Sequence, residues 1–532
     1  MSKPSPEEIL YYIFFILLSV AKGLGFYEGQ KMFMLLVIPA FLCAVLKLLL
    51  TPYTGRQWVM LLILLILTAI VYYESRELGI WFVMFTILGM KHISTDKIFR
   101  LGLRVWTLCA VLLSIWSFFR IEHTIYRVSN RLGLGYIMRW SLGFTHPNIL
   151  HITYFALCAF ILYELRENYG FRQFALLMIG NVLVFFYSVS YTGFGIVTVL
   201  LIGELYVTFR PRFGMVEKTA ANLILPFIIL VSFVLPLLFY APRYGEALQK
   251  LNMLVNTRIK VAGSFLNPEC MSLFGVKMSY LAQFQSYLSI DSSYIWLFIH
   301  YGMIPFVLFM AAYIVLVADY GRKQKTRELV IIICFLGAGL TEQLLFNTSF
   351  KNVTLLFLGE LFFRQKEGAE EYYLIPALHR RAEDTMEWVT LRMPGRVWFP
   401  DKLPSRLGEI WKSYCSQILA GIVAGALLGA VLCGICYAPP NGYIIPRRNA
   451  DWLEKSSVYL ESGQDPDYEG YRIMNYQDPE TPMQIVEGNA VVLETARYYT
   501  GSILIGGLTG YMVGAGIILL YDKRRLKHRI DS

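Results

Sequence analysis

Apolar residues run along this chain in blocks of about 20, the length needed to cross a bilayer. The blocks lie near 9–26, 32–50, 58–73, 77–91, 103–120, 148–164, 173–189, 192–209, 222–240, 292–318, 328–346 and 352–363, with two more near 416–437 and 499–521. Those at 77–91 and 352–363 are short. The pattern predicts an all-α polytopic integral membrane protein with about fourteen transmembrane helices. Three polar stretches, 121–147, 241–291 and 438–498, separate blocks on one side. A charged stretch over 364–415, punctuated by Pro394-Gly395, Pro400 and Pro404, reads as a cytoplasmic linker with amphipathic helices. Trp388, Leu391, Met393 and Trp398 are its candidates for lying on lipid headgroups. The organisation expected is a multi-span module over 1–363, the linker, and a two-span module over 416–532 whose 438–498 segment is a small extracytoplasmic domain.

Composition agrees with the blocks. Of 532 residues, 56% are hydrophobic and 16% charged, below the quarter usual in soluble domains. The net charge of +10 does not point to nucleic acid, because Lys and Arg concentrate in short turns. If fourteen spans alternate, six basic clusters fall on one side: Arg56 and the turns at 91–104, 166–172, 210–218, 322–327 and 523–529. That side is expected to be the cytoplasm, which places both termini inside. The first block follows Glu7-Glu8 without a small-residue cleavage site and reads as a retained span. Among eight cysteines only Cys270 lies in a long outer loop, so no disulfide framework follows. Cys433 and Cys436 have CxxC spacing but sit in a Gly/Ala-rich block without nearby His, so helix packing by small residues is the first reading and redox or metal work the second.

The outer loops break the charge trend. The first carries Arg120, Arg127, Arg131 and Arg139, and the second Arg243, Lys250, Arg258 and Lys260. The third is acidic, with Asp451, Glu454, Glu461, Asp465, Asp467, Glu469, Asp478, Glu480, Glu487 and Glu494. Basic outer loops are either ordinary solvated surface or an anion site. Arg139 and Arg258 are the stronger anion contacts, because guanidinium presents a planar fork to phosphate oxygens. Thr145-His146-Pro147-Asn148 opens an apolar block; these residues either cap the helix or make His146 a base near a substrate hydroxyl. His123 and His151 are the other histidines at the outer mouth. Asp291 opens another block and either caps it or accepts a proton. Glu342-Gln343, late in an apolar block, is costly unless it faces a cavity. The outer loops of the first module contain no DxD-type pair, which argues against a metal-dependent nucleotide-sugar transferase; no metal or soluble cofactor is implied.

Arg139-Trp140-Ser141-Leu142-Gly143-Phe144-Thr145-His146-Pro147-Asn148, Tyr191-Thr192-Gly193, Asn256-Thr257-Arg258-Ile259-Lys260, Leu273-Phe274-Gly275, Asp291-Ser292-Ser293-Tyr294 and Glu342-Gln343 occur in order. This series resembles the Wzy-type polysaccharide polymerases of Gram-positive surface-glycan clusters, relatives of the O-antigen ligases, over about 1–363. The resemblance implies an inverting, metal-independent glycosyltransferase in a bacterial cell membrane. It would polymerise undecaprenyl-diphosphate-linked repeat units at the outer face. It makes Arg139 and Arg258 candidate diphosphate contacts, expected to converge on one anionic group, with Arg243 and Lys260 as alternates. His146 and Asp291 become the candidate catalytic residues at the acceptor; Asn148, Tyr191, Tyr294 and Glu342 complete the substrate-binding set. The ligase branch has a His-Asn pair where this chain has Asp291-Ser292, which leaves the general base open.

Two alternatives stand beside this reading: ligase-like transfer of a finished glycan, and a lipid-linked oligosaccharide flippase. Transporters place ionisable groups near the bilayer midplane and often repeat their halves, whereas here the ionisable groups gather outside and no repeat is visible. Gly421, Gly425, Gly429 and Gly506, Gly510, Gly514 recur at four-residue spacing, and Pro439-Pro440 follows the first of these spans. The two-span module is thus similar to Wzz-type chain-length regulators, with a much shorter outer domain. A plain membrane anchor is the other reading. The partners expected are the lipid-linked oligosaccharide, membrane lipids, and, through 416–532, a second copy or a length-regulator or kinase protein.

Overall fold

A computed structural model describes residues 5–120, 126–130, 136–239, 245–255, 257–277, 290–364, 370–392, 402–446, 459–460, 471–473, 483–486 and 489–530. His123, Arg131, Arg243, Asn256, Met393, Trp398 and the acidic residues from Asp451 to Glu487 lie outside the described residues.

The chain is predominantly helical. Its helices are α1 (Pro6–Gly23), α2 (Lys31–Leu50), α3 (Gly55–Ser75), α4 (Gly79–Leu88), α5 (Thr95–Phe119), α6 (Pro147–Glu164), α7 (Phe171–Ser188), α8 (Tyr191–Phe209), α9 (Met215–Phe239), α10 (Gly245–Leu254), α11 (Arg258–Phe265), α12 (Ser293–His300), α13 (Met303–Arg322), α14 (Thr326–Ala338), α15 (Thr354–Phe362), α16 (Pro376–Arg392), α17 (Lys402–Cys436) and α18 (Asn489–Ile530). Nine helical segments among the described residues are long and apolar enough to cross a membrane: α2, α3, α5, α7, α8, α9, α13, Tyr414–Cys436 of α17 and Val491–Ile518 of α18. This is the pattern of a multi-pass membrane protein. The block at 9–26 is the helix α1, which carries Glu7, Glu8 and Lys22; the block at 148–164 is α6, which opens on Pro147-Asn148 and contains His151. Ser5 and Thr54 close capping boxes at the starts of α1 and α3.

Two compact units divide the chain. The first comprises 1–112, 148–185 and 190–386; the second comprises 113–147, 186–189 and 387–532.

In the first unit the basic turns meet one another and the N-terminal helix. Lys97 pairs with Glu8 at 3.1 Å, Arg100 with Glu164 at 3.0 Å, and Arg166 with Asp96 at 3.0 Å. Lys325 pairs with Glu360 at 2.7 Å. The stretch after α15 joins this end: Tyr53 and Tyr372 form a β-bridge, and Lys91 pairs with Glu371 at 2.8 Å.

Several expected spans end earlier than the apolar pattern predicts. The block at 292–318 is two helices, α12 and α13, broken at Tyr301-Gly302. Gly302 has φ 91° and Gly275 has φ 100°, a region that side chains with a Cβ rarely enter. The break accepts the Ser272–Gly275 turn: the Met303 and Ile304 amides donate to the Ser272 and Leu273 carbonyls at 3.0 and 3.1 Å. A Cβ on Gly302 would collide with the backbone of Leu273 and Phe274. Gly302→Ala should therefore destabilise the fold by about 2–4 kcal/mol, combining strain with overpacking. Thermal unfolding in detergent measures this, and a wild-type midpoint would contradict the packing. The block at 328–346 forms helix only to Ala338, so Glu342 sits in the turn beyond α14 rather than inside a span.

Among the described residues the second unit holds two small sheets. β1 (Tyr126–Asn130) and β2 (Tyr136–Trp140) pair as an antiparallel hairpin with Arg127 opposite Arg139. The second sheet comprises β3 (Gly442–Pro446), β4 (Tyr459–Leu460), β5 (Tyr471–Ile473) and β6 (Met483–Val486), in the order β4-β6-β3-β5. The glycine rows lie face to face between α17 and α18. A Cβ on Gly421 would meet the Gly510 carbonyl at 2.9 Å, and Gly425 and Gly429 lie as closely against the Gly506 and Ser502 carbonyls. α18 begins at Asn489, earlier than the expected span at 499–521, and carries Glu494 and Arg497 into the interior. Glu494 is therefore not a solvated member of the acidic outer segment.

Candidate functional site

Four separated segments of the first unit meet around Arg258. Arg258 opens α11 after Thr257, which adopts a left-handed conformation (φ 61°). Asn252 organises this turn: its carbonyl accepts from the Thr257 amide at 2.7 Å, and its side chain accepts from the Lys260 amide at 2.9 Å. Arg258 Nε donates to Asp291 at 2.9 Å, and its Nη2 donates to Glu342 at 3.2 Å. Glu342 also accepts from the Thr192 hydroxyl, at 3.0 Å, in the first turn of α8.

Ser293 holds the two carboxylates in register. Its amide donates to the Gly339 carbonyl at 2.7 Å and its hydroxyl to the Glu342 carbonyl at 2.6 Å. The same hydroxyl accepts from the Leu345 amide at 3.2 Å. The start of α12 is thus fastened to the turn after α14. Ser292 is the N-cap residue of α12, and Asp291 spends its carboxylate on Arg258 instead of on a cap.

Two buried polar atoms here have no hydrogen-bond partner among the described residues: Arg258 Nη1 and Ser292 Oγ. Buried polar groups are normally satisfied, so these two atoms set the cluster apart. Burial raises the Asp291 carboxyl above its ordinary value, against the opposing charge and hydrogen bond of Arg258. A carboxylate shifted upward is a better proton acceptor than one at its ordinary value.

The remaining candidates have different surroundings. Tyr294 is fully buried and its hydroxyl donates to the Leu336 carbonyl at 2.6 Å, which removes it from the substrate-facing set. Tyr191, first in α8, is 47% exposed with its ring against Phe185. Asn148 stands at the second position of α6 and His146 just before that helix; both are half-buried. His151 is enclosed and bonds Asn181 at 2.7 Å, a packing role. Arg243 lies outside the described residues.

Arg139 belongs to the second unit. It is 5% exposed and its Nε donates to the Ser188 carbonyl at 2.8 Å. Beside it is a cluster that the sequence reading missed. Arg497 and Glu494 form a buried ion pair, and Glu494 accepts from the Trp140 indole. Arg497 donates to the Phe186 carbonyl at 2.9 Å and to the Met138 carbonyl. The i, i+3 spacing of Glu494 and Arg497 was the available signal, obscured by the acidic run before it.

Among the described residues no group of three or more His, Cys, Asp or Glu side chains is arranged to hold a metal ion. No family model, curated protein or solved structure matches the chain.

Proposed function

We propose that the protein polymerises oligosaccharide units carried on a lipid diphosphate, at the outer face of a bacterial cell membrane. The observation that carries this reading is the convergence of Arg258, Asp291, Glu342 and Thr192, with Arg258 Nη1 unpaired among the described residues. These residues come from four of the motifs through which the chain resembles Wzy-type polymerases. In this reading Arg258 binds a diphosphate oxygen through Nη1 and holds Asp291 through Nε. Asp291 accepts the proton of the acceptor hydroxyl while that oxygen bonds to the anomeric carbon. The bond from that carbon to the diphosphate breaks on the opposite face, and the lipid diphosphate departs with the electron pair. Attack from one face and departure from the other inverts the anomeric configuration. Arg139 is proposed as an anion contact within the second unit.

The finer topology is part of the proposal: about fourteen spans, cytoplasmic termini, and 438–498 outside. The gathering of basic turns with the N-terminal helix and the segment after α15 supports it. In a cysteine-free background, Glu383→Cys should resist an impermeant thiol reagent added outside intact cells and react after permeabilisation. Labelling before permeabilisation would reverse the assignment.

Purified protein in liposomes, given an undecaprenyl-diphosphate repeat unit, should build a ladder of longer lipid-linked products. Transfer only to a different acceptor would favour the ligase. Movement of the lipid-linked unit across the bilayer without bond formation would favour the flippase. The pH profile tests the base. Asp291 works ionised, and burial raises its pKa, so activity should fall on acidification at a higher pH than an unshifted aspartate would give. Asp291→Asn should lose most turnover at every pH. An Asp291→Asn variant with wild-type rate and the same acid limb would exclude Asp291 as the base.

A further inference from the structure

We infer that Arg497, on the C-terminal helix α18, is a positioning residue for Arg139, and that Glu494 holds Arg497 in that role. The inference rests on the reading of Arg139 as an anion contact.

The last three residues of α7 are each gripped in turn. The Phe186 carbonyl accepts from Arg497 Nε at 2.9 Å. The Tyr187 hydroxyl donates to the Arg497 carbonyl at 2.9 Å. The Ser188 carbonyl accepts from Arg139 Nε at 2.8 Å. The next residue, Val189, has φ 43°, a costly conformation for a β-branched side chain. Such a conformation persists where surrounding contacts over-determine it.

Arg497 also reaches the strand that carries Arg139. It donates to the Met138 carbonyl, one residue before Arg139, and Glu494 takes the Trp140 indole, one residue after it. Arg139 is therefore bracketed on its own strand by the pair, and its acceptor lies on a segment that Arg497 also holds. Arg497 is fully buried and Glu494 is 1% exposed, so neither side chain serves as a surface charge.

The test compares Arg497→Gln, Arg497→Lys and the paired change of Arg497→Met with Glu494→Met. The paired change removes both charges and leaves no buried ion uncompensated, which protects folding. Two readouts are needed: amide hydrogen exchange across 136–140 and 186–190, and KM against kcat for the lipid-linked repeat unit. Arg497→Gln and the paired variant should each speed exchange in both segments and raise KM about tenfold or more, the scale of a lost buried hydrogen bond to a charged group. Arg497→Lys should recover part of the loss. Wild-type exchange and KM in the folded paired variant would overturn the inference. Faster exchange in a protein whose wild type never extends the substrate would uphold the positioning and instead reject the function assigned to Arg139.

Discussion

Arg258→Ala should reduce polymer formation about 10³-fold, with Arg258→Lys recovering only a small part. A preorganised donor aimed at charge developing on a leaving group is worth about 10²–10³ in rate. Arg258 does two tasks in the proposed reaction, holding Asp291 and receiving the diphosphate, so its loss belongs at the upper end. Lysine keeps the positive charge but offers no rigid fork to span Asp291, Glu342 and a phosphate oxygen. Alanine would also leave Asp291 and Glu342 facing each other without their shared cation. That repulsion endangers folding, so Arg258→Lys is the more informative variant. Thermal midpoints measured beside single-turnover rates separate the effects. A folded Arg258→Lys protein with wild-type turnover would remove Arg258 from the chemistry.

How much of this was legible in the sequence varies from residue to residue. α2, α3, α9 and α13 follow from their apolar blocks, because a segment in lipid must satisfy its backbone internally. The division of 292–318 into α12 and α13 does not follow. Gly302 sits in an apolar run where glycine is common, and its left-handed conformation is set by the distant Ser272–Gly275 turn. Arg258, Asp291 and Glu342 stood out as costly charges near apolar blocks. Their pairing was invisible, since it depends on Ser293 fastening α12 to a turn near fifty positions away. Tyr294 shows the opposite failure: its place in a polar motif pointed to substrate, while its hydroxyl satisfies the Leu336 carbonyl. Glu494 was hidden by composition, as one acid among many.

Deleting 387–532 should abolish turnover, although the composition break at 364 reads as a seam between separable modules. On that reading alone, removal of 364–532 leaves a working polymerase that makes chains of altered length. The contacts within the second unit argue otherwise. Residues 113–147 and 186–189 group with the C-terminal residues rather than with their sequence neighbours. Truncation strips the Met138 and Phe186 carbonyls and the Trp140 indole of partners supplied by Arg497 and Glu494. Each polar group left buried without a partner costs about 1–3 kcal/mol. Phe118 and Tyr498 also lose their ring contact, and Gly501 no longer seats the Phe118 ring. The truncated protein should therefore be made but show rapid exchange over 136–140 and no polymer. Co-expression of 387–532 as a separate polypeptide should restore part of the activity, because the contacts are non-covalent. A truncated protein that polymerises at the wild-type rate, with product length alone changed, would return the C-terminal helices to the role of a separate length-controlling module.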